Sequence, residues 1–155
     1  MKIKIILVIV MVFLSFLKIE SQNQISYIDK FNPIAQELMK NHNIPVSVIL
    51  GISMLESGNG TSKLSQNKHN YFGVKKGKSY RGYESDSASF KDFCKIISRK
   101  KYYDVLIKNN IMDYKIWLTK IQGGRYSESK NWKTKVLYYI EKYKLYELDK
   151  QTTLD

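Results

Sequence analysis

Apolar residues run almost unbroken from Ile5 to Leu17, with only Ser15 between them, and thereafter fall into helical spacing. Ile28, Phe31, Ala35, Leu38 and Met39 mark a helix over Tyr27–Asn41, which Asn41-His-Asn-Ile-Pro ends. Val46, Val48, Ile49, Ile52 and Leu55 mark a second helix. Asn43 is placed to cap it, and Pro45 falls in its first turn, where a missing N–H does no harm. Gly58 and Gly60 stop it. Thr61 or Ser62 opens one short turn through Leu64. Tyr71–Val74 and Ser79–Tyr83 then read as two short strands around the Gly-containing Lys75-Lys-Gly-Lys turn. Further helices are expected from Ser85 or Asp86 to Ser98, over Lys101–Lys108, over Asp113–Gln122 with Gly123-Gly124 ending it, and over Ser129–Tyr143. The expected class is α+β, mainly helical, with one small hairpin after the second helix. No internal repeat or low-complexity linker interrupts this order.

The first two dozen residues differ from the rest. A positive start, Met1-Lys-Ile-Lys, precedes the apolar run, and a polar stretch with a small residue at Ser21 follows it. That is the layout of a secretory signal peptide, with cleavage near Ser21. As a helix the apolar run reaches roughly 20 Å, short of the roughly 30 Å of a bilayer core. The expected organisation is a signal peptide over 1–21, one domain over 22–146, and a polar tail over 147–155 that frays. The address is the periplasm, the cell envelope or the medium, with no stable membrane insertion after cleavage. A domain of this size buries roughly two thirds of its unfolded surface and needs no staples. The single cysteine, Cys94, agrees: it lies in a helical pattern and reads as a small buried apolar group. His42 and His69 sit in polar segments, so no metal-ligand cluster can be drawn, and neither metal nor cofactor is expected.

Net charge is +12, and removal of the leading segment still leaves about +10, which suggests an anionic partner. Export argues against nucleic acid. Cell-wall polymers, which carry carboxylates and often phosphates, suit both the charge and the address. The Lys75-Lys76-Gly77-Lys78 and Arg99-Lys100-Lys101 clusters read as solvated faces.

Glu56 is the candidate for chemistry. It follows Ile52 by four residues and Ile49 by seven, and so shares their helical face. A carboxyl on an apolar stripe is partly desolvated, which disfavours its charged form. A carboxylic acid kept protonated near neutral pH can donate to a glycosidic oxygen. The glycines just beyond it leave room for a bulky polymer. The plainer reading is a Glu near a helix end that merely meets solvent.

Several ordered motifs favour the first reading. Leu55-Glu56-Ser57-Gly58-Asn59-Gly60-Thr61-Ser62-Lys63-Leu64, then Asn70-Tyr71-Phe72-Gly73-Val74-Lys75, resemble the peptidoglycan endo-β-N-acetylglucosaminidases of glycoside hydrolase family 73. The Tyr80–Phe93 stretch, Tyr102-Tyr103, Trp117–Tyr126 and the run ending Val136–Leu145 resemble later elements of that family, in order, so the resemblance covers about residues 31 to 146. It implies a lysozyme-like fold, hydrolysis of the β-1,4 bond from N-acetylglucosamine to N-acetylmuramic acid, and Glu56 as general acid. It also implicates Tyr126, whose phenol would bond the reacting sugar or its acetamido group. Its plainer role is an aromatic packed over the preceding helix.

Three departures stand out. Asn59 replaces a tryptophan, Arg125 replaces an alanine, and the hairpin from Val74 to Arg81 lacks the second Glu many members place there. The nearest carboxylates are Glu84, a candidate base for an inverting route, and Asp86, which reads as a helix cap. With no second carboxylate on the hairpin, the preferred scheme is substrate assistance. Glu56 protonates the leaving oxygen, the 2-acetamido carbonyl attacks the anomeric carbon, and Tyr126 holds that group. Tyr71 and Tyr83, with Asn70 and Asn59, are the expected substrate-binding residues; Tyr80 is a further groove candidate, and Phe72 reads as buried. Competing readings are a lytic transglycosylase that leaves 1,6-anhydro ends, a non-catalytic wall-binding module, and a secreted DNA-binding protein, which explains the charge but none of the motifs.

Overall fold

Helix α1 (Lys2–His42) runs unbroken through both the leading apolar run and the helix expected over Tyr27–Asn41. The computed structural model describes residues 2–150, apart from the side chains at 2–4, 7–8 and 16–21. Ile5, Ile6, Ile9, Met11 and Phe13 are exposed on the N-terminal part of α1, whereas Tyr27, Phe31, Ala35, Leu38 and Met39 are buried. Among the described side chains, burial begins at Gln24, just past Ser21, where the amide oxygen accepts from the Tyr143 hydroxyl. No helix among the described residues is long and apolar enough to cross a membrane.

Helix α2 (Val46–Ser57) is the centre of the fold. Ten of its twelve residues are buried, and a helix apolar on every side has to be enclosed by others. It packs on α1, on α6 (Tyr114–Gly123), on α7 (Trp132–Lys142) and on a C-terminal 3-10 turn over Leu145–Asp149. Gly51 lets α7 approach: a Cβ there would stand 2.7 Å from Ile140 Cγ1. The cap expected from Asn43 is not made; Pro45 is the N-cap residue and offers no side-chain bond. Asp149 does the work instead. Its carboxylate accepts from the Ser47 N–H at 2.8 Å and the Ser47 hydroxyl at 2.6 Å. An anion at a helix N-terminus also complements the helix dipole. The tail expected to fray from Glu147 is therefore tied down as far as Asp149, with Leu145 fully buried. Residues 151–155 of that tail lie outside the described residues.

The remaining elements follow the local signals. Ser62 caps α3 (Lys63–Lys68), and Ser85 caps α4 (Asp86–Ser98) by accepting from the Ala88 N–H. Asp86 thus gives up its expected capping role and faces Lys30 and His69, at 2.8 and 2.6 Å. Helix α5 spans Lys101–Lys108, and Asp113 caps α6. Strands β1 (Lys75–Lys76) and β2 (Ser79–Tyr80) pair antiparallel, Lys75 opposite Tyr80 and Lys76 opposite Ser79. This hairpin is shorter than the alternation suggested, because Tyr71 and Phe72 turn inward to the core rather than pair. The expected class holds: α+β, mainly helical, with one small hairpin set beside the C-terminal end of α2.

Candidate active site

Glu56 occupies the last turn of α2. Gly58, in the left-handed conformation at φ 57°, ends the helix, and its N–H bonds the Met54 carbonyl. The Glu56 side chain is half-buried, and Oε1 accepts from the Trp132 indole N–H at 2.8 Å. Gly73, at φ +64°, passes beside the other oxygen, where a Cβ would stand in ordinary contact, 3.6 Å from Oε2. Only glycine takes that backbone conformation freely. Burial pushes the carboxyl above its ordinary 4.5, and the Trp132 bond, which favours the charged form, pulls part of the way back. The result is an acid biased toward keeping its proton, with one oxygen oriented by an indole.

Tyr126 lies in the same groove. Its hydroxyl donates to the Phe72 carbonyl at 3.1 Å, and its ring stands edge-on to Phe93 and tilted against Trp132, with centroids 6.0 and 5.2 Å away. Burial, and then the neighbouring Glu56 carboxylate, push the phenol well above its ordinary 10. It stays a neutral donor and ties the Phe72-Gly73 turn over the acid. The groove itself encloses about 540 Å³, with Glu56, Gly73, Lys75, Phe93, Tyr126 and Glu128 among its walls.

The other residues singled out from the sequence sit elsewhere. Tyr71 is 5 % exposed and packs against Phe31 and Phe90, so it is core rather than a sugar platform. Asn70 is fully buried, and its amide clamps the hairpin. Nδ2 donates to the Val74 and Arg81 carbonyls, both at 2.8 Å, and Oδ1 accepts from the Val74 N–H at 3.0 Å. Its bonds are used up on backbone rather than left for substrate. Tyr83 donates to Asp92 Oδ2 at 2.8 Å. Tyr83 and the exposed Glu84 line a separate depression with Arg81 and Lys91, so the structure does not bring Glu84 to Glu56. Tyr80 is exposed on the hairpin beneath the Lys75 ammonium. Phe72 is buried, as expected. Asn59 takes a left-handed backbone at φ 55°, and its Oδ1 is buried without a hydrogen-bond partner among the described residues. Cys94 is a free, buried thiol, pushed up by burial. Among the described residues no group of three His, Cys, Asp or Glu side chains is placed to hold a metal ion.

Two members of the site were not singled out beforehand. Trp132 looked like one more apolar position on α7; its signal was an indole N–H, which needs a partner when buried. Glu128 carried none, being one charge in a polar connection.

Comparison with known proteins gives the family and the fold. Residues 32–145 match the glucosaminidase family model, described as mannosyl-glycoprotein endo-beta-N-acetylglucosaminidase. The exo-glucosaminidase LytG of Bacillus subtilis is 28 % identical over 158 residues, covering 84 % of this chain and 55 % of LytG. The chain thus spans about half the length of that curated relative. The catalytic domain of the autolysin Auto from Listeria monocytogenes superposes with a TM-score of 0.70 at 25 % identity, covering 82 % of this chain and 88 % of that one. A peptidoglycan hydrolase from Sphingomonas sp. A1 shares the fold alone, with a TM-score of 0.66 at 18 % identity, covering 79 % and 91 %.

Proposed function

The chain belongs to the glucosaminidase family of glycoside hydrolases, and on that premise we propose that it cuts peptidoglycan glycan strands with Glu56 as general acid. The bond proposed is the β-1,4 linkage from N-acetylglucosamine to N-acetylmuramic acid. One observation carries the reading: a half-buried carboxyl, its pKa raised by burial and one oxygen oriented by Trp132, opens on a groove of about 540 Å³. Raising the pKa favours the protonated form, which is the form that donates to the leaving oxygen. The relatives point the same way, since LytG is named an exo-glucosaminidase and Auto an autolysin. Tyr126 supports the site by fixing the Phe72-Gly73 turn, and its ring gives the groove a wall on which a sugar face can rest. The positive charge steers an anionic polymer toward the cleft. The proposed organisation is a signal peptide through Ser21, with the active protein exported to the envelope or beyond.

Glu56→Gln tests the proposal. Glutamine keeps an oxygen for the Trp132 N–H but has no proton to give. Clearing of peptidoglycan gels should fall at least 1,000-fold, a loss of about 4 kcal/mol of transition-state stabilisation, while sedimentation with insoluble wall is retained. Mass spectrometry of wild-type digests should show reducing N-acetylglucosamine ends. A preponderance of 1,6-anhydro-muramic ends would make the protein a lytic transglycosylase, and binding without any digestion would make it a wall-binding module.

A further inference from the structure

Glycoside hydrolysis by a single displacement needs two carboxyl groups, an acid for the leaving oxygen and a base for the water. The hairpin from Val74 to Arg81 holds neither Asp nor Glu, and Glu84 lines a different depression. The groove that holds Glu56 nevertheless contains a second carboxylate, Glu128, carried on the connection between α6 and α7.

Taking the function proposed above as given, we propose that Glu128 is the second catalytic carboxylate, the base that receives a proton from the attacking water. The segment carrying it is tethered on both sides. Tyr126, two residues before, is tied to the Phe72 carbonyl at 3.1 Å. The Gln122 amide donates to the carbonyls of Ser129 and Lys130, at 3.3 and 3.2 Å, just after it. Trp132, at the end of the same segment, holds Glu56 itself. One short connection therefore carries a carboxylate into the groove and ends at the indole that orients the acid. None of the ion pairs among the described residues takes up Glu128. The two environments also differ in the required sense: Glu56 is half-buried and Glu128 is exposed to the groove, where water reaches it. Two carboxyl groups kept in unlike surroundings are how an acid and a base are told apart.

The step balances without a cofactor. Glu56 gives its proton to the glycosidic oxygen as the bond from the anomeric carbon to that oxygen breaks. The water oxygen bonds the anomeric carbon from the opposite face, and Glu128 takes the water's proton. Both carboxyl groups return to their starting states by proton exchange with solvent after product leaves. The new hemiacetal has the α configuration. Substrate assistance, which the bare hairpin suggested, would return the β configuration through two inversions.

The test is Glu128→Gln, assayed on soluble glycan fragments beside the wild type. The position is exposed, so an unchanged melting temperature is expected. The expected result is a 100- to 10,000-fold fall in kcat with KM little altered, the usual worth of a positioned base. Azide, an anion that attacks without being deprotonated, should restore turnover and yield the α-glycosyl azide. Proton NMR of wild-type digestion should show the α anomer first. A variant within threefold of wild type, a loss that azide does not restore, or a β anomer formed first would each overturn the base. A wild type that cuts nothing would overturn the proposed function and this role with it, whereas an active wild type with an unimpaired variant would overturn this role alone.

Discussion

The decisive contact at the residue scale is one indole N–H on one carboxylate oxygen. From the sequence, Glu56 shares a helical face with Ile49 and Ile52, and that spacing already argues for a desolvated acid. The structure supplies the desolvation from farther away, through the Phe72-Gly73 turn and Trp132, 76 residues along the chain. Spacing within a helix can place a side chain on a face but cannot say what closes over it. For the same reason Tyr71 and Asn70 read as sugar contacts and are instead a core ring and a hairpin clamp. The Trp132 bond favours the charged form of Glu56, so its removal acts in a known direction. Trp132→Phe should raise the acid's pKa further and move the alkaline limb of the kcat profile to higher pH, while kcat itself falls about tenfold as the carboxyl loses its orientation. A pH–rate profile reads both. Linkage gives a second check. A carboxyl raised above its unfolded value contributes most to stability when protonated, below about the ordinary 4.5, and that contribution is lost as pH climbs toward the raised value. Glu56→Gln should therefore melt at or above the wild-type temperature at pH 7 and show no such gain at pH 4.

Signals confined to a few residues were legible at the scale of elements. Ser62, Ser85 and Asp113 each cap the helix that follows, and Gly58 ends α2 where two nearby glycines said it would end. Signals that cross the chain were not. The cap of α2 comes from Asp149, 102 residues from Ser47, so no local pattern could replace Asn43 with it. The hairpin is short because Asn70 spends its amide on Val74 and Arg81, holding the base of the hairpin while Tyr71 and Phe72 leave for the core. The seam between α2 and α7 has the greatest leverage on the site, since α2 carries Glu56 and α7 carries Trp132. Gly51 sets how closely they approach, and any side chain there meets Ile140 within 2.7 Å and Val136 within 3.2 Å. Gly51→Ala should gain helix propensity but lose more to overpacking, for a net destabilisation of about 1–3 kcal/mol. Urea denaturation measures that. The same small separation of the helices should stretch the bond from Trp132 to Glu56, so kcat should fall while the fold persists.

For the whole molecule, the balance of 26 basic against 14 acidic residues argues for an anionic partner without naming one. The structure adds where part of that charge sits. Lys75, Lys76 and Lys78 are all exposed on a hairpin free of carboxylates, and Lys75 also walls the groove that holds Glu56. None of the three belongs to an ion pair among the described residues. A run of lysines on a solvated turn is ordinary when read alone; beside the mouth of the cleft it becomes a collector for a polymer bearing carboxylates or phosphates. Its attraction is long-range and therefore screened: the Debye length falls from about 10 Å at 0.1 M salt to about 3 Å at 1 M. Co-sedimentation with insoluble peptidoglycan should weaken steeply over that range. Replacing Lys76 and Lys78 by Gln should lower binding about two- to fivefold at 0.1 M salt and leave it unchanged at 1 M, where the charges no longer act. Both side chains are exposed, so stability should shift by no more than about 0.5 kcal/mol. A loss that persisted at 1 M salt would mean that these lysines make direct hydrogen bonds to the wall rather than steer it, because contact bonds survive screening and attraction at a distance does not.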